Sequence, residues 1–282
     1  MDNTTLRESR AGRRAMFIAV PVALLSLAPL FWALMSSLRP GREIFANLHP
    51  FTLRTVFPEV WTLQNYAELL SGNFRPALIN TLVVVVCSVV GGILVASLAA
   101  YALAVIEFPG RTAVFGVMVV SFLVPFEAIA IPLSSTFRDW GLANSYLGLI
   151  LPAIGNGLAI FNLRQFFLNI PQSLAEAARV DGLGYFGIYR KIYMPLSRGA
   201  LVGSALIIFV FQWQAFLWPL LNSPSPRMRV ATVAIADFAQ ESGVDYGQMF
   251  AAAILTAAIP LILLLIFQRQ FGGSMATSGS KE

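Results

Sequence analysis

The chain of 282 residues is 57% hydrophobic and only 12% charged, with a mean hydropathy of +0.73. A soluble domain of this length carries about twice that charged fraction, so the composition excludes an ordinary soluble domain and indicates an integral membrane protein. The apolar runs do not alternate with polar residues, as the strands of a transmembrane barrel would, so we expect helices.

Six runs are long enough, as helices, to cross roughly 30 Å of hydrocarbon. In chain order they cover residues 15–38, 76–106, 112–137, 140–163, 199–226 and 247–268, and Glu127 is the only charge that interrupts the third. The first run exceeds the apolar core of a signal peptide, about 7 to 15 residues, so we predict an uncleaved helix. The sequence therefore predicts an all-α integral membrane fold with six transmembrane helices in residues 15–271. Tails of residues 1–14 and 272–282 flank this transmembrane domain.

The distribution of Lys and Arg predicts the orientation of these spans, because basic residues accumulate on the cytoplasmic side. With the N-terminus inside, the inner segments hold 12 of the 19 basic residues and the outer segments hold seven. We therefore predict a multi-pass protein of the cell membrane with both termini cytoplasmic. The net charge of +5 then reflects topology and does not indicate nucleic-acid binding.

The cytoplasmic loop of residues 164–198 is too polar to enter the bilayer and long enough for two short helices. Pro171 is a helix-start signal, and Ser173 with Glu176 fits a capping box. Gly182 after Asp181 is a helix-stop signal. A second helix is predicted over residues 185–193, ending before a proline.

The first of these helices has little side-chain bulk, because Ala175, Ala177 and Ala178 lie between its start and stop signals. Glu176 and Arg179 occupy neighbouring positions on its surface. Two interpretations remain open at this point. The helix is either gripped closely by another protein, or it is a solvated connector whose Glu176 only caps its own N-terminus.

Several motifs in this chain resemble one family. "EAARVDG" followed by "IYMPLSRGAL" resembles the EAA loop of ABC importer permeases. Five more segments resemble, in order, the MalG-like permeases of carbohydrate importers, and together the likeness covers residues 63–271: "NTLVVVVCSVVGGILVASLAAYALAVIEFPGR", "GLANSYLGLILP", "FNLRQFFLNIP", "WQAFLWPLL" and "AAAILTAAIPLILLLIFQRQF".

This resemblance implies a type I ABC importer permease (MetI-like) fold, in which the EAA loop carries a coupling helix that docks on a cytoplasmic ATPase. The implied coupling residues are Ser173, Leu174, Glu176, Ala177, Ala178, Arg179, Asp181 and Gly182. It also implies a heterodimer with a homologous permease subunit, two ATP-binding cassette subunits and an extracytoplasmic solute-binding protein. The chain would form half of the pathway for a sugar or sugar-like solute.

Two alternatives remain beside this reading. An importer of the same architecture could carry glycerophosphodiesters, polyols or another small solute. More distantly, the chain could be an ATP-independent channel or secondary transporter, although no convincing inverted repeat is present.

The sequence predicts no catalytic residues, cofactor or metal. There is no G-x-x-x-x-G-K-[ST] motif, so ATP would be bound and hydrolysed by partner subunits. His49 is the sole histidine, which leaves little for zinc-dependent or triad chemistry. We therefore predict that the chain is not an enzyme.

Polar residues inside membrane spans are candidates for the translocation path. Glu127 either lines the path or gate, or is a paired or protonated carboxylate near the outer interface; the resembling family commonly has a neutral polar residue here. Asn156 is a path candidate, but its glycine neighbours could instead serve close helix packing. Gln212, Trp213 and Gln214 are candidates near the outer end of the fifth span, where an aromatic belt would also explain tryptophans. The family usually has Asn at the position of Gln214.

Overall fold

The computed structural model describes residues 3–46, 49–240 and 243–276, and over these ranges the chain is predominantly helical. The α-helices are α1 (Asn3–Ser37), α2 (Leu53–Val56), α3 (Gln64–Ser71), α4 (Phe74–Val105), α5 (Arg111–Leu123), α6 (Phe126–Asp139), α7 (Tyr146–Ile154), α8 (Gly157–Leu168), α9 (Gln172–Val180), α10 (Tyr185–Ile188), α11 (Met194–Leu196), α12 (Arg198–Trp213), α13 (Leu217–Asn222), α14 (Ala231–Ala236) and α15 (Tyr246–Ala276). A π-helical turn, Tyr189–Tyr193, joins α10 to α11.

Two short strands, β1 (Ala239–Gln240) and β2 (Gly243–Val244), form an antiparallel pair. The predicted all-α fold is confirmed. Residues 1–2 and 277–282 of the predicted tails lie outside the described residues, and α1 already begins at Asn3.

Four helical segments are long and apolar enough to cross a membrane: Ala19–Ser37, Phe74–Val105, Tyr146–Leu168 and Tyr246–Phe267. Two helix pairs have this character only when taken together. Arg111–Leu123 and Phe126–Asp139 meet at a bend of 95°, and Tyr185–Leu196 and Arg198–Trp213 meet at 83°. If each bent pair is one span, the described chain has up to six, the number predicted from sequence.

The predicted boundaries of the third, fourth and fifth spans are wrong, because none of these runs is one unbroken helix. In place of residues 140–163 the structure has α7 and α8, which begin at Tyr146 and are interrupted at residues 155–156. Residues 112–137 are broken where Pro125 lacks an N–H and its ring holds Val124 in an extended conformation. Residues 199–226 are broken after Trp213, where Phe216 adopts φ −122° and ψ −55°. Hydrophobicity reports how apolar a run is, but it does not report where a helix is interrupted.

The chain divides into two compact units, of which the first is Met1–Phe74 with Ile235–Ala257. Within it, the fully buried Arg39 donates hydrogen bonds to the last carbonyls of α2, those of Arg54, Thr55 and Val56, at 3.3, 3.4 and 2.8 Å. The negative end of the helix dipole favours a cation at this place. Burial lowers the pKa of the Arg39 guanidinium, whereas the nearby Glu43 carboxylate raises it.

The second unit is Arg75–Ala234 with Ala258–Glu282. It contains a hydrophobic core that includes residues of α4, α8 and α9. Tyr101 of α4 packs against Phe167, Tyr189 and Tyr193, with ring centroids 6.5, 5.3 and 5.1 Å away. Each such aromatic pair contributes about 0.5–1.5 kcal/mol beyond its buried area. These rings join α4 and α8 to the helical segment that precedes α12.

Trp218 of α13 connects three helices in a second core of this unit. Pro152 lies inside α7 and has no N–H, so the carbonyl of Gly148, four residues earlier, has no helical partner. The indole Nε1–H of Trp218 donates to that carbonyl at 3.0 Å. Phe126 and Phe137 of α6 pack edge to face on the Trp218 ring, with centroids at 5.9 and 5.1 Å. The side chain is 5% exposed, so one buried residue of α13 contacts both α6 and α7.

We predict that Trp218→Phe lowers stability, because it keeps a ring but removes the donor for the buried Gly148 carbonyl. An unsatisfied buried acceptor costs about 1–3 kcal/mol. Trp140→Phe is the matched control, since Trp140 is 66% exposed. The measurement is the thermal unfolding midpoint of the purified protein in detergent. Equal midpoints for the two variants would contradict the role assigned to Trp218.

Candidate functional site: a surface helix and a cavity at three helix breaks

The nine-residue helix α9 begins without the predicted capping box. Pro171 occupies the N-cap position, no side chain caps the helix, and the Pro171 carbonyl accepts the N–H of Leu174 at 3.2 Å. Ser173 therefore already lies inside the first turn, and the capping box between Ser173 and Glu176 is wrong. The Glu176 side chain is exposed and is not used in a cap.

The helix α9 ends where the sequence predicts, at the stop signal Gly182. Gly182 has φ +80°, a left-handed conformation that favours glycine. Its N–H bonds to the Arg179 carbonyl at 3.0 Å, and the next N–H, from Leu183, bonds to the Ala178 carbonyl at 2.9 Å. This pair of bonds is a Schellman motif, which satisfies the last carbonyls of the helix. No atom lies within 4 Å of a Cβ built at Gly182, so a substitution there strains the backbone alone.

The helix α9 has one buried face and one exposed face. Ala175 and Ala178 are 2% and 5% exposed and belong to the aromatic core around Tyr101. Their methyl groups let α9 lie close to that core. The guanidinium of Arg179 lies over the ring of Tyr185, 5.3 Å from its centroid. The predicted coupling residues that are exposed are Ser173, Leu174, Glu176, Ala177, Arg179, Asp181 and Gly182.

A helical segment, Tyr185–Leu196, follows α9 and is anchored to α4. The hydroxyl of Tyr101 donates to the carbonyl of Tyr185 at 3.0 Å, and the hydroxyls of Ser97 and Tyr189 are 2.8 Å apart. The prediction that this helix ends before Pro195 is wrong. Pro195 lies in α11, directly after the π-helical turn, and the helical segment continues through it to Leu196.

A cavity of about 800 Å³ lies in the second unit where three helix breaks meet. These are the breaks between α5 and α6, between α7 and α8, and between α12 and α13. The lining residues are 122–127, Leu149, Pro152, Ala153, Asn156, Ile208, 210–212 and 214–218. In a membrane, such irregular backbone is tolerated only where it is buried in protein or lines a cavity.

Four of the five predicted path residues line this cavity: Glu127, Asn156, Gln212 and Gln214. Glu127 lies in the first turn of α6. Asn156 is the N-cap of α8, where its Oδ1 accepts the N–H of Ala159 at 2.9 Å. The amide of Gln212 donates to the Leu149 carbonyl at 3.3 Å. The structure thus brings together polar groups from distant parts of the sequence. The outermost two, Glu127 and Gln214, lie 87 residues apart.

The structure does not bring Trp213 to the cavity. It is 3% exposed, and its ring stacks on Phe209 at 5.4 Å between centroids, in a core that includes Val85. Trp218 is also buried by protein, so the aromatic-belt interpretation fails for both tryptophans. A Cβ at Gly157 would lie 2.8 Å from Phe122, so the expected close packing holds there, whereas nothing lies within 4 Å at Gly155.

Sequence reasoning missed the aromatic lining of the cavity. The aromatic lining residues are Phe122, Phe126, Phe211, Phe216 and Trp218. Inside an apolar run, an aromatic residue that lines a cavity has the same local sequence as one that faces lipid. The one available signal was Pro125. A proline inside a span leaves a backbone carbonyl without its helical N–H partner, so neighbouring groups must hydrogen-bond to it.

Residues 88–276 match the family described as binding-protein-dependent transport system inner membrane component, and this match spans more than half of the chain. The arabinooligosaccharides transport system permease protein AraQ of Halalkalibacterium halodurans is 31% identical over 263 residues, which cover 92% of this chain and 93% of that protein. The diacetylchitobiose uptake system permease protein NgcG of Streptomyces coelicolor is 32% identical over 282 residues, covering 96% and 91%. The sn-glycerol-3-phosphate transport system permease protein UgpE of Rhizobium meliloti is 32% identical over 254 residues, covering 86% and 88%.

The fold is also that of a solved importer. A chain of a bacterial ABC transporter involved in the import of the acidic polysaccharide alginate superposes with a TM-score of 0.80 at 21% identity, covering 96% of this chain and 98% of that one. The resemblance to carbohydrate-type importer permeases and the MetI-like fold are thereby confirmed. The family consists of transport components, which agrees with the prediction that the chain is not an enzyme. The chain therefore belongs to the inner membrane components of binding-protein-dependent transport systems, the permease subunits of ABC importers.

Proposed function

We propose that this chain forms half of the translocation pathway of an ATP-driven importer for a sugar or sugar-like solute, and that α9 couples this pathway to partner ATPases. The observation that carries the proposal is the placement of α9. One face is free for a partner, while the other face is fixed to helices that lead to the cavity.

The connection from α9 to the cavity contains no loose linker. Ala175 and Ala178 sit in the aromatic core, and the Schellman motif at Gly182 fixes the direction of the following helix. That helix, Tyr185–Leu196, meets α12 at the 83° bend, and α12 ends beside the cavity residue Gln214. A displacement of α9 would therefore be carried to the cavity by packed helices, as in transitions that move rigid elements.

The exposed side of α9 and the start of the next helix have the chemistry of a docking surface. Leu174, Val180, Tyr185 and Phe186 are 43%, 88%, 51% and 67% exposed, and the charged Glu176 lies among them. Exposed apolar patches with polar rims mark protein–protein interfaces. A solvated connector has no need of such a patch, so this surface supports docking of an ATPase.

The cavity supports passage of a small solute. Its volume lies within the range of about 300–1,000 Å³ that is typical of small-molecule sites, and it combines apolar walls with few polar groups. Two relatives are named for arabinooligosaccharides and diacetylchitobiose, which favours a sugar. A third is named for sn-glycerol-3-phosphate, so the same architecture carrying glycerophosphodiesters, polyols or another small solute is the second candidate.

The proposed assembly contains a homologous permease subunit, two ATP-binding cassette subunits and an extracytoplasmic solute-binding protein. The family description, with its dependence on a binding protein, supports the last of these. ATP would be bound and hydrolysed by the cassette subunits, so this chain would need no cofactor. In this arrangement both termini and the coupling loop, residues 164–198, face the cytoplasm.

We predict opposite outcomes for tryptophan at two adjacent positions of α9. Ala177→Trp places a large ring on the exposed face, so the protein should insert normally but lose the ATPase subunits or solute-stimulated ATP hydrolysis. Ala178→Trp forces the ring into the core, where overpacking costs about 1–3 kcal/mol, so it should reduce folded protein first. Co-purification of the ATPase and ATP turnover in reconstituted vesicles measure both. Normal assembly and turnover in Ala177→Trp would refute docking at α9.

The turn at Gly182 gives a second prediction. Gly182→Val should uncouple ATP hydrolysis from uptake, because a left-handed conformation costs a non-glycine residue about 1–2 kcal/mol and changes the angle at which α9 is presented. Gly182→Asn is the matched control, since asparagine tolerates this conformation. We expect the valine variant to lose most solute-stimulated hydrolysis while the asparagine variant retains most of it. Equal behaviour of the two would show that the turn does not position α9.

The orientation is tested by single cysteines in a Cys87→Ser background. Ser173→Cys and Ser71→Cys should react with a membrane-impermeant thiol reagent from opposite sides, because α9 and the loop after the first span lie on opposite sides in the proposed topology. Both positions are exposed. In intact cells only Ser71→Cys should be labelled, and labelling of Ser173→Cys there would overturn the orientation.

A further inference from the structure

The cavity carries one charged side chain. Of the residues that the structure describes around it, Glu127 alone is ionisable, and the remaining polar side chains are the neutral amides Asn156, Gln212 and Gln214. Asn156 and Gln212 are already engaged with backbone groups of α8 and α7. Glu127 is exposed at the start of α6 and is one of the residues that line the cavity.

The helix ends around the cavity offset only part of this charge. Each of the three breaks leaves one helix C-terminus and one helix N-terminus at the cavity, equivalent to partial charges of about −0.5 and +0.5. Glu127 lies in the first turn of α6, so the positive end of that helix is the one closest to it. A partial charge of about +0.5 offsets only about half of a carboxylate, so Glu127 remains a net negative group at the cavity.

We infer that the cavity admits uncharged polyhydroxylated solutes and rejects anionic ones, with Glu127 as the specificity-determining residue. This inference rests on the proposed function, because it takes the cavity to be part of the solute path. It separates this chain from relatives whose solutes are anions, such as sn-glycerol-3-phosphate. It also narrows the second candidate solute class to uncharged polyols.

The expected size of the effect follows from Coulomb's law. At about 8 Å from the carboxylate and an effective dielectric constant of about 60, a monovalent anion is depleted roughly threefold and a monovalent cation is enriched roughly threefold. The ratio of cation to anion in the cavity should therefore exceed that at a neutral site by about tenfold. A ratio is preferable to either value alone, because steric access to the cavity cancels.

The test measures this ratio without a solute. Gln214→Cys in a Cys87→Ser background places a thiol at the cavity of the assembled transporter in detergent. Its modification rates by cationic trimethylammonioethyl and anionic sulfonatoethyl methanethiosulfonate are compared. Glu127→Gln should lower the cation-to-anion ratio of rates about tenfold. Glu127→Asp, which keeps the charge, and Glu107→Gln, which removes an exposed charge outside the cavity lining, should leave the ratio unchanged.

A salt titration keeps the inference testable if Glu127→Gln does not assemble. With Glu127 present, raising the ionic strength from about 0.01 to about 1 M shortens the screening length from about 30 to about 3 Å and should collapse the ratio. The inference is overturned if the ratio of modification rates changes neither with salt concentration nor in Glu127→Gln. It is also overturned if the parent reacts faster with the anionic reagent than with the cationic one. Failure of the proposed function has a different signature: no ATP-dependent uptake by the parent while the ratio and its dependence on Glu127 persist.

Discussion

Backbone hydrogen bonding inside a membrane is the constraint on which this arrangement depends. Lipid tails offer neither donors nor acceptors, so each interruption of a spanning helix must find its partners within the protein. Trp218 meets the carbonyl that Pro152 frees at Gly148, Asn156 caps α8, and Gln212 meets a carbonyl of α7. All three side chains also line the cavity. The groups that make the breaks tolerable are therefore the groups that shape the space.

The polar side chains that line the cavity are therefore of two kinds. Asn156 and Gln212 are committed to backbone partners, so their orientation is fixed by the helix ends that they serve. Among the contacts of the described residues, the side chains of Glu127 and Gln214 have no such partner. Variation at free positions can change solute preference while leaving the helix breaks intact.

Features set by local rules could be predicted from the sequence, and features set by packing could not. Gly182 ends α9 because a left-handed residue is needed there, and the EAA-like loop identified the family. The capping box failed because Pro171, two residues before Ser173, already takes the N-cap. The inward direction of Ala178 and of Trp213 depends on neighbours more than 70 residues away in the chain, such as Tyr101 and Val85. No local pattern distinguishes these residues from exposed ones.

The two ends of α12 differ in structure: one end is a packed bend, and the other end is a helix break beside the cavity. At the 83° bend, Ser197 is fully buried, its N–H bonds to the Tyr193 carbonyl at 3.0 Å, and its carbonyl accepts from Leu201 at 2.8 Å. This bend is therefore hydrogen-bonded on both sides and packed, unlike a hinge. At the other end, the helix stops at Trp213 and the backbone leaves helical geometry by Phe216. If α9 carries motion from the ATPases, as proposed, the stiff end of α12 receives it. The other end of α12 lies at the cavity, where a change of shape would alter the path.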